Sequence, residues 1–159
     1  ENSGPKAAQK ESFAGRAAVI CDREDSEQDA LALVENIAKN LEMHLIYMNA
    51  DAHDVHTAYI SHISHITSYA LANTVLEKER EEDTIFQLAS SGFSSTVRLA
   101  KSHPEMWVPI FKQNKENVLD VLNEHITQLR KFKSALEKEN FELLEELIKN
   151  ANKIRGILK

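Results

Sequence analysis

Glycine and proline are scarce in this sequence, which has four glycines and three prolines among its 159 residues. Because both residue types interrupt helices, their scarcity favours helix throughout the chain. The few glycines form neither a Gly-x-Gly-x-x-Gly pattern nor a Gly-x-x-x-x-Gly-Lys phosphate loop. The sequence therefore predicts a mainly helical chain that cannot hold a dinucleotide by itself.

Cysteine, long apolar runs and excess positive charge are also lacking. Cys21 is the single cysteine, which excludes a disulfide within the chain and fits a reducing, cytoplasmic environment. No apolar run reaches the roughly 18 residues that span a membrane, so we expect no membrane partner. The net charge of -6 opposes binding to nucleic acid, whose phosphates attract clustered lysine and arginine. What remains is a globular protein of ordinary composition.

Strand signals occur only near the start of the chain. Short apolar runs at residues 16–21 and 44–48 enclose a segment with helical spacing that begins after a predicted cap at Ser26. This order predicts a β-α-β unit with parallel strands. Two parallel strands do not make a stable sheet alone, and the sequence begins at Glu1 without methionine. We therefore expect a piece of a longer protein, with most of this sheet elsewhere.

Residues 51–159 show helical spacing with short breaks. A Ser-His-Pro-Glu start at Ser102 has the capping-box pattern and predicts one long helix to about residue 138. Asn140 is predicted to cap a last helix. Apolar residues follow the long helix at three-, four- and seven-residue steps, at Leu119, Leu122, Ile126, Leu129 and Leu136. Such a narrow seam is typical of helices that pack against a partner helix, so we predict a homodimer.

Four of the seven histidines lie within residues 53–65. Apolar spacing there predicts one amphipathic helix from about residue 53 to residue 78. His62 and His65 are three positions apart and project from nearly the same side, where two imidazoles can meet one ligand. His53 and His62 are nine positions apart, which places them on opposite sides of a straight helix at about 100° per residue.

Three interpretations of these histidines stay open from the residues alone. A metal site needs three or four convergent ligands, which the spacing of His53 and His62 opposes. In a structural interpretation His53 and Asp54 cap the helix start, while His62 and His65 make ordinary hydrogen bonds. In a ligand-binding interpretation His62 and His65 face one bound molecule.

A second candidate segment covers residues 89–107, ASSGFSSTVRLAKSHPEMW. A loop of small residues around Gly92 would let the backbone approach a ligand closely. The planar guanidinium of Arg98 suits a carboxylate. Trp107, the single tryptophan, stands at the start of a predicted helix. Singly, Arg98 fits a surface ion pair and Trp107 a core side chain, so it is their combination with the histidines that favours a site.

These motifs together resemble the second domain of the prephenate dehydrogenase family. That domain carries HD-x-x-x-A-x-x-SH-x-x-H-x-x-x-x-AL, then Gly-Phe, T-R-x-A and S-x-P-x-M-W. The matching positions are His53-Asp54, Ala58, Ser61-His62, His65, Ala70-Leu71, Gly92-Phe93, Arg98-Leu99-Ala100 and the segment from Ser102 to Trp107. The opening segment from Glu1 to Gly4 resembles the end of the family's G-T-E-x-S-G segment. The resemblance covers essentially the whole chain.

The resemblance implies a mainly α fold in two parts. Residues 1–50 would be the last β-α-β portion of a Rossmann-type nucleotide-binding domain, and residues 51–159 an all-helical dimerisation and substrate domain. The family oxidises and decarboxylates prephenate to 4-hydroxyphenylpyruvate in tyrosine biosynthesis, with NAD or NADP as cofactor. The cofactor motif and the family's catalytic histidine belong to a segment upstream of these residues, so the chain is expected to be inactive alone.

The resemblance also implies roles for individual residues. Arg98 would pair with a carboxylate of prephenate, and His65 would be the catalytic-site residue that donates to the substrate. His62 would support His65 or serve the fold. The remaining implied contacts are Trp107 and the Gly92 backbone around the substrate ring, and Glu1 at the polar rim. Arogenate, which has an amine in place of the keto group, and a helical dimerisation module without catalysis are the alternatives.

Overall fold

The N-terminal part of the chain is the predicted β-α-β unit, formed by strand β1 (Ala17–Cys21), helix α1 (Gln28–Asn40) and strand β2 (His44–Met48). The computed structural model describes Pro5, residues 8–82 and residues 84–157. Within these residues the two strands are parallel, in a register that begins with Ala17 opposite His44. The predicted strands and their direction are therefore confirmed.

This unit leaves much apolar surface uncovered. Val19 on β1 and Ile46 on β2 are exposed, and Leu33 on α1 has 60% of its surface exposed. Helix α1 begins after Glu27, one residue later than the predicted cap at Ser26, and Glu27 makes no side-chain capping bond. Parallel sheets are normally covered on both faces, so these side chains need further protein to bury them.

The rest of the described chain is helical, as the apolar spacing predicts. It contains α2 (Ala50–Thr57), a π-helical turn (Ala58–His62), α3 (Ile63–Glu82), α4 (Ser91–Thr96), α5 (Pro104–Gln113), α6 (Lys115–Glu137) and α7 (Phe141–Ala151). Short 3-10 turns, Ile85–Leu88, Arg98–Lys101 and Asn152–Gly156, lie between or after these helices. None of the helices within the described ranges is long and apolar enough to cross a membrane.

The predicted helix over residues 53–78 is present within one continuous helical run, residues 50–82, which contains the π-helical turn between α2 and α3. Asn49 caps its start, because the Asn49 Oδ1 accepts a hydrogen bond of 2.7 Å from the backbone N–H of Ala52. Capping by His53 and Asp54 is therefore wrong. A π-helical turn joins residues five apart instead of four, so it rotates the residues after it by roughly 100° relative to those before.

The predicted long helix from Ser102 is divided. Helix α5 ends before Asn114 and α6 begins after it. Ser102 does not cap α5, because its hydroxyl donates to the carbonyl of Leu99 at 2.6 Å and His103 is the residue that precedes the helix. The predicted cap at Asn140 is confirmed, since its Oδ1 accepts from the N–H of Leu143 at 3.0 Å.

The core of the helical part is small. Its buried apolar residues are Ala58, Trp107, Val118, Val121 and Ala135, and its buried polar residues are His62, Ser68 and Asn114. Several residues of the predicted seam on α6 stay exposed, including Leu119, Leu129 and Leu136. Ser68 is buried where α3 meets the Arg98 turn, and His62 and Asn114 are buried together where the π-helical turn meets the junction of α5 and α6. This is the region of the candidate site.

Candidate functional site

The centre of the site is a stack of two rings. His65 on α3 lies nearly face to face with Trp107 on α5, with ring centroids 3.5 Å apart and ring planes 27° apart. His62 meets the same indole edge-on, with centroids 6.0 Å apart and planes at 80°. Trp107 itself is only 7% exposed. The two histidines therefore converge, as their spacing predicts, and the group on which they converge is Trp107.

His62 is held by the break between α5 and α6. The side-chain N–H of Asn114 points to the His62 Nδ1 at 3.3 Å and to the carbonyl of Asp54 at 2.7 Å. Since an amide nitrogen only donates, the Nδ1 accepts and the neutral ring carries its proton on Nε2. Burial lowers the pKa of His62, while the nearby Asp54 carboxylate acts in the opposite direction. His62 is therefore a neutral, oriented imidazole at physiological pH.

The π-helical turn reduces the angle between His53 and His62 around the helix from about 180° to about 80°. Both residues line a cavity of about 240 Å³, together with Asp54, Thr57, Ile110, Gln113 and Asn114. The prediction that His53 and His62 lie on opposite sides is wrong, because it assumes a straight α-helix. His53 uses its Nδ1 to contact its neighbour Asp54 at 3.0 Å. Within the described ranges, no group of three or more histidine, cysteine or carboxylate side chains is arranged to hold a metal ion.

His65 is half-buried and has a defined proton arrangement. Its Nδ1 lies 3.0 Å from the carbonyl oxygen of Ser61, one helical turn earlier. A carbonyl only accepts, so the Nδ1 donates and carries a proton. The Nε2 of the neutral ring is then an acceptor, and it becomes a donor only when the ring is protonated. Donation from His65 to a substrate anion therefore requires the imidazolium form.

Arg98 begins the 3-10 turn that packs against α3, and it is exposed. Gly92 lies in the first turn of α4, so the predicted loop around it is wrong. A side-chain carbon at Gly92 would meet Ser90 at 3.9 Å, which is ordinary contact, so packing within the described chain does not require glycine there. Glu1, the predicted rim residue, lies outside the described residues.

Sequence reasoning missed three polar side chains around this centre. Asn114 orients His62, and Ser68 on α3 is bonded to both ends of the segment that carries Arg98. The ring of Tyr69 lies 6.2 Å from that of His65, and its buried hydroxyl finds no hydrogen-bond partner among the described residues. The one signal in the sequence was Ser68, a polar residue at an apolar position of α3, which could have indicated a buried hydroxyl. The partners of these three side chains are distant in sequence.

Residues 49–150 match the sequence profile described as "Prephenate dehydrogenase, dimerization domain". The prephenate dehydrogenase of Bacillus subtilis strain 168 is 29% identical over 153 residues, which cover 96% of this chain and 41% of that protein. The cyclohexadienyl dehydrogenase of Zymomonas mobilis is 28% identical over 160 residues, which cover 100% of this chain and 55% of that protein. The chain thus spans about half the length of the curated relatives it matches.

Solved structures give the same picture. A prephenate dehydrogenase of Aquifex aeolicus, in complex with hydroxyphenyl propionate and NAD+, superposes with a TM-score of 0.89 at 27% identity. The match covers 100% of this chain and 56% of that one. An arogenate dehydrogenase of Synechocystis has a TM-score of 0.76 at 22% identity, covers 97% of this chain and 56% of that one, and shows a shared fold.

The lowered pKa of His62 predicts a pH dependence of stability. Below about pH 6.5 the unfolded chain binds a proton at this histidine, and the folded chain binds it only at a lower pH. The stability present above pH 6.5 is therefore lost progressively as the pH falls through that window. In His62→Asn this contribution to the pH dependence disappears, because the amide oxygen can replace the Nδ1 acceptor without titrating.

Urea unfolding of the whole protein at several pH values between 5 and 8 measures this effect. The matched control is His56→Asn, since His56 is exposed on α2. The control should keep the slope of the free energy of unfolding against pH that the unsubstituted protein has. An equal slope in His62→Asn would contradict the assignment.

Proposed function

Because this chain belongs to the prephenate dehydrogenase family, we propose that the whole protein carries out the NAD- or NADP-dependent oxidative decarboxylation of prephenate to 4-hydroxyphenylpyruvate. The supporting observation is that one side of α3 carries His65 and, three residues later, Ser68, which bonds the backbone segment that carries Arg98. His65 and the Arg98 segment therefore lie about one helical turn apart along α3. We also propose that it acts in tyrosine biosynthesis in the cytoplasm, where its free Cys21 stays reduced.

The proposed substrate explains the chemistry of these two residues. Prephenate is a dianion, and the planar guanidinium of Arg98 can make two parallel hydrogen bonds to one carboxylate. The His65 Nε2 is assigned the hydrogen bond to a second polar group of the substrate, while the Nδ1 stays bonded to the Ser61 carbonyl. Other parts of the protein would hold the cofactor, which would supply the hydride acceptor. The residues of this chain bind and orient the substrate for that step.

We assign to Trp107 and His62 the role of a rigid support. Trp107 is covered by His65 on one face and by the edge of His62, so it fixes the His65 ring before the substrate arrives. The Gly92 backbone and Glu1 remain part of the proposed site, at the substrate ring and at the rim. A support of this kind reduces the entropy that the site loses when it binds substrate.

Arogenate is the second candidate substrate. It keeps both carboxylates and differs by an amine in place of the keto group, so Arg98 could bind it equally well. The similarity to a cyclohexadienyl dehydrogenase supports testing both compounds. Steady-state rates of the whole protein with prephenate and arogenate, each with NAD and with NADP, distinguish the candidates. If the protein is inactive with all four combinations, the remaining interpretation is a helical dimerisation module without catalysis.

We further propose that the protein is a homodimer through the groove between α3 and α6. This groove has a volume of about 550 Å³ and is lined by Ile66, Thr67, Ala70, Leu71, Thr74, Leu122, His125, Ile126 and Leu129. Leu129 is 55% exposed in the single chain, and Leu119 on the same helix is exposed as well. Contiguous apolar surface of this kind is typical of an interface, and helical domains commonly bury such a groove against a helix of a second copy.

Replacing Arg98 tests the carboxylate contact. Arg98→Ala should raise the KM for the substrate about 10- to 100-fold, because a hydrogen bond to a charged group contributes about 1.5–3 kcal/mol. Arg98→Lys should give an intermediate KM, since lysine keeps the charge and loses the planar fork. Lys101→Ala, at an exposed cation of the same turn, is the control and should leave KM unchanged. An unchanged KM in Arg98→Ala would overturn the assignment.

Replacing Leu129 tests the dimer. Leu129→Glu places a charge in the apolar groove and should convert the dimer to a monomer in light scattering at micromolar concentration, without unfolding the chain. The matched control is Thr127→Glu, because Thr127 is exposed and lies about 200° away around α6. A monomeric unsubstituted protein, or a dimeric Leu129→Glu variant, would contradict this interface.

A further inference from the structure

Ser68 is the most deeply buried polar residue of the helical part, with 1% of its surface exposed. Its hydroxyl donates to the carbonyl of Thr96 at 3.1 Å and accepts from the backbone N–H of Ala100 at 3.0 Å. A hydroxyl has one proton and two lone pairs, so a single Ser68 side chain satisfies both backbone groups.

The two backbone groups that Ser68 bonds are a pair that would normally bond each other. In a continuous α-helix the N–H of Ala100 would donate to the carbonyl of Thr96, four residues earlier. Here the Ser68 hydroxyl lies between them, and the N–H of Ala100 also makes a tighter 3-10 bond of 3.0 Å to the carbonyl of Val97. Insertion of a side chain into a helical ladder bends the chain at that point. Accordingly, α4 ends at Thr96 and a 3-10 turn follows.

Arg98 lies at the centre of this interruption, two residues from each of the bonded groups. Ser68 follows His65 by three positions on α3, so both residues lie on the same side of that helix. One face of α3 therefore carries the imidazole of the site and, one turn later, holds the backbone on both sides of the guanidinium-bearing residue. Ser68 therefore lies one turn from His65 on α3 and is bonded to the backbone segment that carries Arg98.

We propose that Ser68 is a positioning residue, whose hydroxyl keeps the helix open at Arg98 and thereby sets the spacing between Arg98 and His65. This inference rests on the proposed function, because it assigns the spacing to recognition of a dianionic substrate. Without the hydroxyl, the N–H of Ala100 and the carbonyl of Thr96 can bond directly, which continues α4 and rotates Arg98 away from His65.

The first test is the kinetics of Ser68→Ala in the whole protein with prephenate. The KM should rise about tenfold, the size expected for a misplaced charged hydrogen bond, while kcat changes much less. The control is Thr127→Ala, which also removes a hydroxyl, but an exposed one on α6 that donates to the carbonyl of Asn123 in its own helix. This control should leave KM unchanged. A Ser68→Ala variant with unchanged KM would overturn the proposal.

A double-mutant cycle separates positioning from a general structural role. If Ser68 acts through Arg98, the combined Ser68→Ala and Arg98→Ala variant should have the KM of Arg98→Ala alone. Increases in KM that multiply would overturn the proposal. If Ser68→Ala does not fold, Ser68→Cys replaces it, since a thiol fills similar space and bonds more weakly. Ser68→Cys should raise KM by a smaller factor, and an unchanged KM in this variant would also overturn the proposal.

Amide hydrogen exchange at Ala100 provides a readout that does not depend on activity. Exchange at Ala100 should change in Ser68→Ala and stay the same in Thr127→Ala, because the Ser68 hydroxyl bonds this amide and the Thr127 hydroxyl does not. If the unsubstituted protein turns over neither prephenate nor arogenate, the proposed function fails, and the exchange data still report on the contact. Unchanged exchange at Ala100 in Ser68→Ala would show that the contact does not hold the turn.

Discussion

The face-to-face contact between His65 and Trp107 is the interaction on which the rest of the site depends. It joins α3 to α5, and it orients the ring whose Nε2 we assign to the substrate. The edge of His62 and the ring of Phe111 close around the same indole, with centroids 6.0 Å and 5.4 Å from that of Trp107. Ring pairs of this geometry add about 0.5–1.5 kcal/mol each beyond the burial of their surface. The imidazole is therefore held before any ligand binds.

Two departures from regular helix make this arrangement possible. The π-helical turn that ends at His62 rotates the residues after it around the helix axis. At the break between α5 and α6, the side-chain amide of Asn114 bonds both His62 and the Asp54 carbonyl. A third interruption, at the Arg98 turn, is occupied by the Ser68 hydroxyl. Each irregularity lies at a residue of the site. Local departures from ideal geometry of this kind concentrate where a fold must place particular groups.

Much of the fold follows from patterns within short stretches of sequence. The strands and the cap at Asn140 are indicated by residues a few positions apart, and the parallel direction follows from the order strand, helix, strand, so the sequence predicts all three correctly. The bonds of Ser68 to the Arg98 segment and of Asn114 to Asp54 join partners 28 to 60 residues apart. Periodicity assumes a straight helix and contains no information on such partners. The pairing of His62 with His65 could be predicted, whereas the cavity that His53 shares with His62 could not.

A crystal structure of the whole protein with NAD+ and hydroxyphenyl propionate, the compound bound in the Aquifex aeolicus relative, tests this account most directly. The account predicts the ligand against α3, with its carboxylate on the Arg98 guanidinium or on the His65 Nε2 at about 3 Å. It also predicts that the His65 Nδ1 stays on the Ser61 carbonyl and the ring stays stacked on Trp107. A ligand bound without contact to either His65 or Arg98 would contradict it.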